Sequence, residues 1–477
     1  MDAVMTDIAF LSACDLARLY RSKKLSPVEV TETLLARIGR TQPKLNSYIT
    51  VDAAGARAGA QAAERRFRDG AALGPLDGVP YSVKDLTNTA GLRTTMGSLV
   101  MKDYVPADDA VPVARMRAAG AVLLGKTTTP EWGHKAMTDS PLFGVTPNPW
   151  DLTRTSGGSS GGAGAAVAAG LGPIALGTDG GGSIRIPAAV NGIVGLKQTL
   201  GRIPNVHAAD LFANHSYIGP MTRTAADCAL MFAAVAGPDD RDPYGARPPR
   251  PVAPLPPGTL AGLRIGLAMT MGNPCVTADV EAAVNASVDA LVAMGARVEV
   301  LTIDLAQHVD VFQVIWESSL RSRLKELVEK SNQPIADSLR QHIDGGARHN
   351  AVALAKAQQL RTSLYRQIEA LFAKVDVIAS PVTARDAMPL DHDPLGPIEI
   401  DGRKFGPMRR DLYPYTWTFN LTGHPAISVP CGFSPAGLPL GLQLVAPWDH
   451  DERLLDLAMR LEAVRPWAAK RPPVFAS

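Results

Sequence analysis

Residues 156–188, SGGSSGGAGAAVAAGLGPIALGTDGGGSIRIPA, constrain the fold more than any other stretch of the chain. They hold three glycine clusters, and no charged side chain lies between Arg154 and Asp179. Glycine at that density costs backbone entropy. It is kept where the main chain must approach something closely or take dihedrals that a Cβ forbids. The stretch reads as a turn at 157–162 entering an alanine and glycine helix, then a short apolar strand at 173–178, then a second turn, Gly180-Gly181-Gly182, that presents Ser183. Serines on two glycine turns thus bracket one small-residue helix. The uncharged run contains Pro173 and few large apolar residues, so it predicts a packed core helix and no membrane span.

The rest of the chain alternates. Ser26-Pro27-Val28-Glu29 combines an N-cap serine, proline in the first turn and a capping glutamate, which predicts a helix over 26–40. Further helices are expected at 52–68 and 112–119, the second ended by Gly120. Strand-like runs occur at 78–83, 121–126, 173–178, 193–196, 264–268, 297–303, 375–380, 426–430 and 438–445. Such alternation predicts an α/β fold with a sheet covered by helices on both faces. With 477 residues, either two domains or one large elaborated domain is expected. Residues 247–258, RPPRPVAPLPPG, hold six prolines and predict an extended surface connector. Residues 305–415 are helical and then loop-rich, with Phe312, Ile315, Trp316, Leu320 and Leu324 at core-like spacing and Tyr415 near the end. This segment is expected to wall the site.

Charge and cysteine usage exclude several functions. The 48 basic and 46 acidic residues leave a net charge of +2, which gives no electrostatic footprint for nucleic acid or an anionic membrane. Cys14, Cys228, Cys275 and Cys431 have neither CxxC spacing nor histidines at metal-ligand intervals. No metal site, cofactor or disulfide framework is expected, and the thiols fit a reducing compartment. The segment MDAVMTDIAF has acids where an export signal needs a basic region, which points to a cytoplasmic protein.

Two serine turns offer a nucleophile. Gly157-Gly158-Ser159-Ser160-Gly161 matches G-x-S-x-G, but a turn-rich loop at 147–154 precedes it where a nucleophile elbow needs a strand. Ser183 follows a strand and three glycines, so the N–H groups of Gly180, Gly181, Gly182 and Ser183 can converge on one spot, as a tetrahedral oxyanion requires. The alternative is a structural turn or an anion-binding nest. None of the nine histidines lies in a recognisable catalytic motif. Lys84, at the end of the apolar run 78–83, carries its ammonium into the interior, where desolvation lowers its pKa and a neutral amine can accept a proton. The alternative for Lys84 is an ion pair with Asp85.

These motifs together, GVPYSVKD at 78–85, GGSSGG at 157–162 and GTDGGGSIRIP at 177–187, resemble the amidase signature family. FNLTGHPA at 419–426 and GLPLGLQ at 437–443 resemble its C-terminal part. The resemblance implies one domain over 1–477 with a large mixed, mostly parallel sheet. It also implies a catalytic triad: Ser183 as nucleophile, Ser159 as bridging serine on a cis Gly158–Ser159 peptide, and Lys84 as terminal base. Asp179 and Arg185 are expected to brace the nucleophile loop, with Ser160 and Ser156 as hydrogen-bonding supports. Gly133 to Met137 lie where the family lines its acyl pocket, and Phe312, Trp316 and Tyr415 are candidate substrate contacts. The function implied is hydrolysis of small amides through an acyl-enzyme, with esters and carbamates as further substrates, by a monomer or homodimer. Two alternatives stand: the glutamine-hydrolysing component of a tRNA-dependent amidotransferase, and a non-catalytic anion- or ligand-binding protein.

Overall fold

The computed structural model describes residues 7–246, 253–273 and 275–475. Part of the proline-rich connector, 247–252, and the first six residues of the N-terminal segment lie outside the described residues. Positions 253–258 contain one turn and no helix or strand.

An eleven-stranded sheet runs through the described residues. In chain order its strands are β1 (Tyr48–Val51), β2 (Pro80–Lys84), β3 (Val122–Thr127), β4 (Ile174–Asp179), β5 (Val194–Lys197), β6 (Tyr217–Thr222), β7 (Arg264–Leu267), β8 (Arg297–Val300), β9 (Val377–Pro381), β10 (Ala426–Phe433) and β11 (Pro439–Val445). In space they run β1-β3-β2-β4-β6-β5-β10-β11-β9-β7-β8. The sheet is mixed, as expected, but it is not mostly parallel. Only β3–β2, β2–β4, β9–β7 and β7–β8 pair parallel, and every pair from β4 through to β9 is antiparallel. Strand β6, inserted between β4 and β5, makes two of these antiparallel pairs, and the hairpin β10–β11 with its neighbours β5 and β9 makes the other three.

Strand alternation divides the core into two faces. Val377 and Ala379 of β9 join one apolar cluster, together with Val280, Val284 and Leu291 of the Ala278–Ala293 helix. Ile378 between them joins the other, with Phe312 and Ile315 of the Val309–Ser331 helix and Leu364 of the Ala351–Phe372 helix. Helices therefore cover both faces, because successive side chains of a strand point to opposite sides. Local signals set many boundaries. The Pro27–Leu45 helix starts where Ser26 Oγ accepts from the Val28 N–H, and the Ala53–Arg68 helix where Asp52 accepts from Gly55.

The parallel neighbours β2 and β4 end side by side, with Val83 opposite Leu176. Their C-terminal ends bring Lys84 and Thr178 together. The Gly161–Ala168 helix, every residue of it buried, packs beneath them and ties both glycine turns to the sheet.

Candidate active site

Lys84 is fully buried at the end of β2. Its Nζ lies 2.7 Å from Ser159 Oγ, 2.9 Å from Thr178 Oγ1 and 3.4 Å from the Thr178 carbonyl oxygen. Burial pushes its pKa well below the ordinary value of 10.5, and the charge of Asp179 opposes this only in part. The expected alternative, a pair with Asp85, does not form. The Asp85 carboxylate accepts instead from the Thr95 N–H at 2.9 Å and from the Thr95 hydroxyl.

Ser159 is 2% exposed and follows a cis Gly158–Ser159 peptide. Ser160 stitches the two glycine turns together. Its Oγ donates to the Thr178 carbonyl at 3.1 Å and accepts from the Thr178 N–H at 3.2 Å, while its N–H donates to the Ser183 carbonyl at 3.2 Å. Ser156 Oγ donates to the Thr146 carbonyl at 2.7 Å.

The second turn is held by one carboxylate. Asp179 accepts from the N–H groups of Gly182 at 2.6 Å and Ile184 at 3.1 Å, from Asn420 Nδ2 at 2.8 Å, and from Arg185 through two bonds of 3.0 Å. Arg185 is fully buried and also reaches the Thr416 carbonyl, Gln443 and Asn420. Burial alone would raise the Asp179 pKa, but the Arg185 guanidinium and the Asn420 amide hold it well below the usual carboxylate range. A bidentate pair with every lone pair satisfied is the geometry in which a buried ion pair is tolerated.

This arrangement corrects the expected set of oxyanion donors. The Gly182 N–H is occupied by Asp179, because Gly182 at φ +123° turns its amide inward. Among the described residues, the N–H groups of Gly180, Gly181 and Ser183 make no internal hydrogen bond. The turn cannot carry larger side chains at its crowded points. A Cβ on Gly181 would lie 2.8 Å from the Phe312 ring, and one on Gly182 would lie 2.4 Å from Thr416 Oγ1.

Ser159, Thr178, Gly180 and Ser183 line one cavity of about 420 Å³, which Gly133 and Trp316 also line. His215 edges it at 6.0 Å from the Phe312 ring and 6.2 Å from Trp316, and burial pushes its pKa down to about 4, so it faces the cavity uncharged near neutral pH. Gly133 crowds Ser159, since a Cβ there would come within 2.9 Å of Ser159 Oγ. Ser183 also borders a crevice of about 30 Å³, lined in part by Phe312, Trp316 and Gly133.

Two expected pocket residues lie elsewhere. Met137 is 3% exposed and packs in the apolar cluster around Ile186 and Ala189, where it borders neither space. Tyr415 is fully buried, with its hydroxyl 3.1 Å from Asn273 Nδ2. Conversely, Thr178 and Asn420 were not singled out by sequence. The signal for Thr178 was the register of two adjacent parallel strands ending together, which requires knowing that β2 and β4 pair. Asn420 acts across 241 residues, and no local pattern announces it.

Comparisons with known proteins identify the family. The amidase family model matches residues 29–455. An acylamidase of Rhodococcus erythropolis is 37% identical, over 98% of this chain and 98% of its own length. The A component of the glutamyl-tRNA(Gln) amidotransferase of Roseiflexus sp. (strain RS-1) is 36% identical, over 98% of this chain and 99% of its own. Among solved structures, a bacterial aryl acylamidase of the amidase signature family superposes with a TM-score of 0.88 at 30% identity, covering 96% of this chain and 97% of that one. A family model matched over residues 29–455 and relatives matched over nearly their full length make this chain a member of the amidase signature family.

Proposed function

We propose that the protein hydrolyses the C–N acyl bond of small uncharged amides through an acyl-enzyme on Ser183, with Ser159 as proton bridge and Lys84 as terminal base. One observation carries this reading: a buried lysine with no carboxylate partner among the described residues sits 2.7 Å from a serine hydroxyl in the wall that also holds Ser183. A neutral amine has two N–H donors and one lone pair. The Thr178 carbonyl can only accept, and Thr178 Oγ1 accepts the second N–H, so the lone pair is left for the Ser159 proton. Ser159, deprotonated toward Lys84, takes the proton of Ser183 as its oxygen attacks the carbonyl. The free N–H groups of Gly180, Gly181 and Ser183 supply donors for the developing oxyanion. On collapse the relay runs backward and Ser159 delivers a proton to the leaving amine, after which water releases the acid.

Esters and carbamates pass through the same tetrahedral intermediate and are further substrates on this reading. The test is Ser183→Ala assayed on an anilide, an ester and a carbamate, with loss of turnover expected on all three. Undiminished turnover overturns the assignment.

The amidotransferase component found as a relative supports a second reading, glutamine hydrolysis. Trp316 and the uncharged His215 in the cavity favour an aryl or apolar substrate instead. Assaying the isolated chain on glutamine beside 4-nitroacetanilide decides between them.

A further inference from the structure

Ser183 stands at the junction of two spaces of very different size, and only one of them is shared with Ser159. The large cavity, about 420 Å³, is lined by Ser159, Gly180 and Ser183. The crevice, about 30 Å³, is lined by Gly181 and Ser183 without Ser159. About 10–15 Å³ of such volume holds one water molecule. The crevice therefore takes a group the size of a methyl or an ethyl, whereas the cavity takes a substituted aromatic ring.

We propose that this asymmetry fixes both the orientation and the class of the substrate: a short acyl or alkoxy group enters the crevice, and a bulky amine occupies the cavity. The assignment rests on the reading of Ser183 as nucleophile and Ser159 as bridge. The proton that frees the amine comes from Ser159, so the leaving nitrogen must lie in the space that Ser159 lines, which is the cavity. The carbonyl oxygen points at the glycine turn between the two spaces, and the remaining substituent has only the crevice. In the acylation step the Ser183 oxygen bonds to the carbonyl carbon, the C–N bond breaks, and the Ser183 proton leaves with the amine. Water then cleaves the ester to a short acid and restores the hydroxyl. An N-aryl carbamate of methanol or ethanol fits in the same way, with its alkoxy group in the crevice.

Phe312 is the plug that keeps the crevice small. It is 3% exposed and presses on the glycine turn at Gly181. Its ring lies 6.0 Å from Trp417, stacks on Trp316 at 5.8 Å and 19°, and is covered by the Arg409 guanidinium at 5.1 Å. A cation over an aromatic face adds to the hold on that ring.

The experiment is a series of 4-nitroanilides of acetic, butyric and hexanoic acids, beside acetamides of aniline and of 2-naphthylamine. For the unaltered protein kcat/KM is expected to fall at least tenfold from acetyl to hexanoyl and to change less than fivefold between the two amines. In Phe312→Ala the hexanoyl-to-acetyl ratio is expected to rise at least tenfold, and in the milder Phe312→Leu to rise by less. Equal or faster turnover of the hexanoyl compound by the unaltered protein, or failure to cleave the acetyl compound, overturns the proposal even where Phe312→Ala does not fold. Ser183→Ala separates the two layers. If it abolishes turnover while the unaltered protein prefers long acyl groups, the orientation falls and the nucleophile stands; if it keeps full turnover, both fall.

Discussion

On the floor of the cavity, around Lys84, Ser159 and Asp179, hydrogen bonds to backbone and side chains fix nearly every polar atom. Asp179 alone gathers two backbone amides, a guanidinium and a carboxamide. The wall above is built from rings, Phe312 on Trp316 and His215 against both, and the carboxylate of Glu317 is a buried polar anchor of the helix that carries Phe312 and Trp316. Directional bonds set positions to a few tenths of an ångström, while stacked rings can repack. The floor should therefore respond to substitution in its chemistry, and the wall in its selectivity and stability.

The sharpest test of the floor is Ser183→Ala, for which a loss of turnover on the order of 10³-fold or more is expected from stopped assays on an anilide, with thermal stability nearly unchanged. Lys84→Met should follow, with a loss on the order of 10²- to 10⁴-fold. The same lysine sets a pH dependence. In the proposed relay its neutral form is the base, so activity should fall as pH drops through its lowered pKa. Stability tied to this group also falls as pH drops below the unfolded value of about 10.4, because only the unfolded chain takes up the proton there. A rate that stays flat from acid to alkaline pH would contradict a lysine base.

Asp179→Asn probes whether the floor's rigidity depends on charge. It leaves Arg185 buried without its counterion and replaces one carboxylate oxygen by an NH2 group, so that one of the Gly182 and Ile184 amides loses its acceptor. A loss of about 3–5 kcal/mol is expected in urea unfolding. A change below about 1 kcal/mol would mean that the brace is replaceable and that floor and wall differ less than their bonding suggests.

The same contrast explains what the sequence disclosed. Floor residues lie in contiguous motifs where a strand end, a glycine turn and a serine follow one another, so Lys84, Ser159 and Ser183 could be named from spacing and family resemblance. Asp179 and Arg185 could be named as a pair, but not the capture of the Gly182 amide, which depends on a backbone rotation that no residue type spells out. Strand β6 went unread because Gly219 and Pro220 sit inside Tyr217–Thr222, and both count against a central strand. Without β6 the strands β4 and β5 read as neighbours, and strand–helix alternation does not show that β10 and β11 pair antiparallel with each other and with β5 and β9, so a mostly parallel sheet follows wrongly. In the wall, Phe312 and Trp316 were visible as an apolar stripe. Arg409 over Phe312 joins residues far apart in the chain, and Tyr415 looked like a substrate contact only because nothing local showed its hydroxyl meeting Asn273.

The smallest expected effect tests the wall's polar anchor. Glu317, 2% exposed, lies 2.8 Å from His349 Nε2, 3.3 Å from His342 Nδ1 and 2.9 Å from Gln313 Nε2, and so ties the Val309–Ser331 helix to the Asp337–Gly345 helix and the turn after it. Burial would raise its pKa, but these donors outweigh burial and hold it at about 2. The stabilisation is therefore present above the unfolded value of about 4.3 and is lost as pH falls from there toward 2. Glu317→Gln should cost about 1–3 kcal/mol at pH 7, read from urea midpoints. The gap between the two proteins should narrow at pH 3.5, where the unaltered carboxylate has begun to lose its advantage. Turnover of an acetyl anilide should change less than threefold, since the variant leaves Phe312 and the floor in place. A loss of turnover as large as that of Lys84→Met would show that the wall's anchor reaches the chemistry, and the division between a catalytic floor and a selective wall would fail.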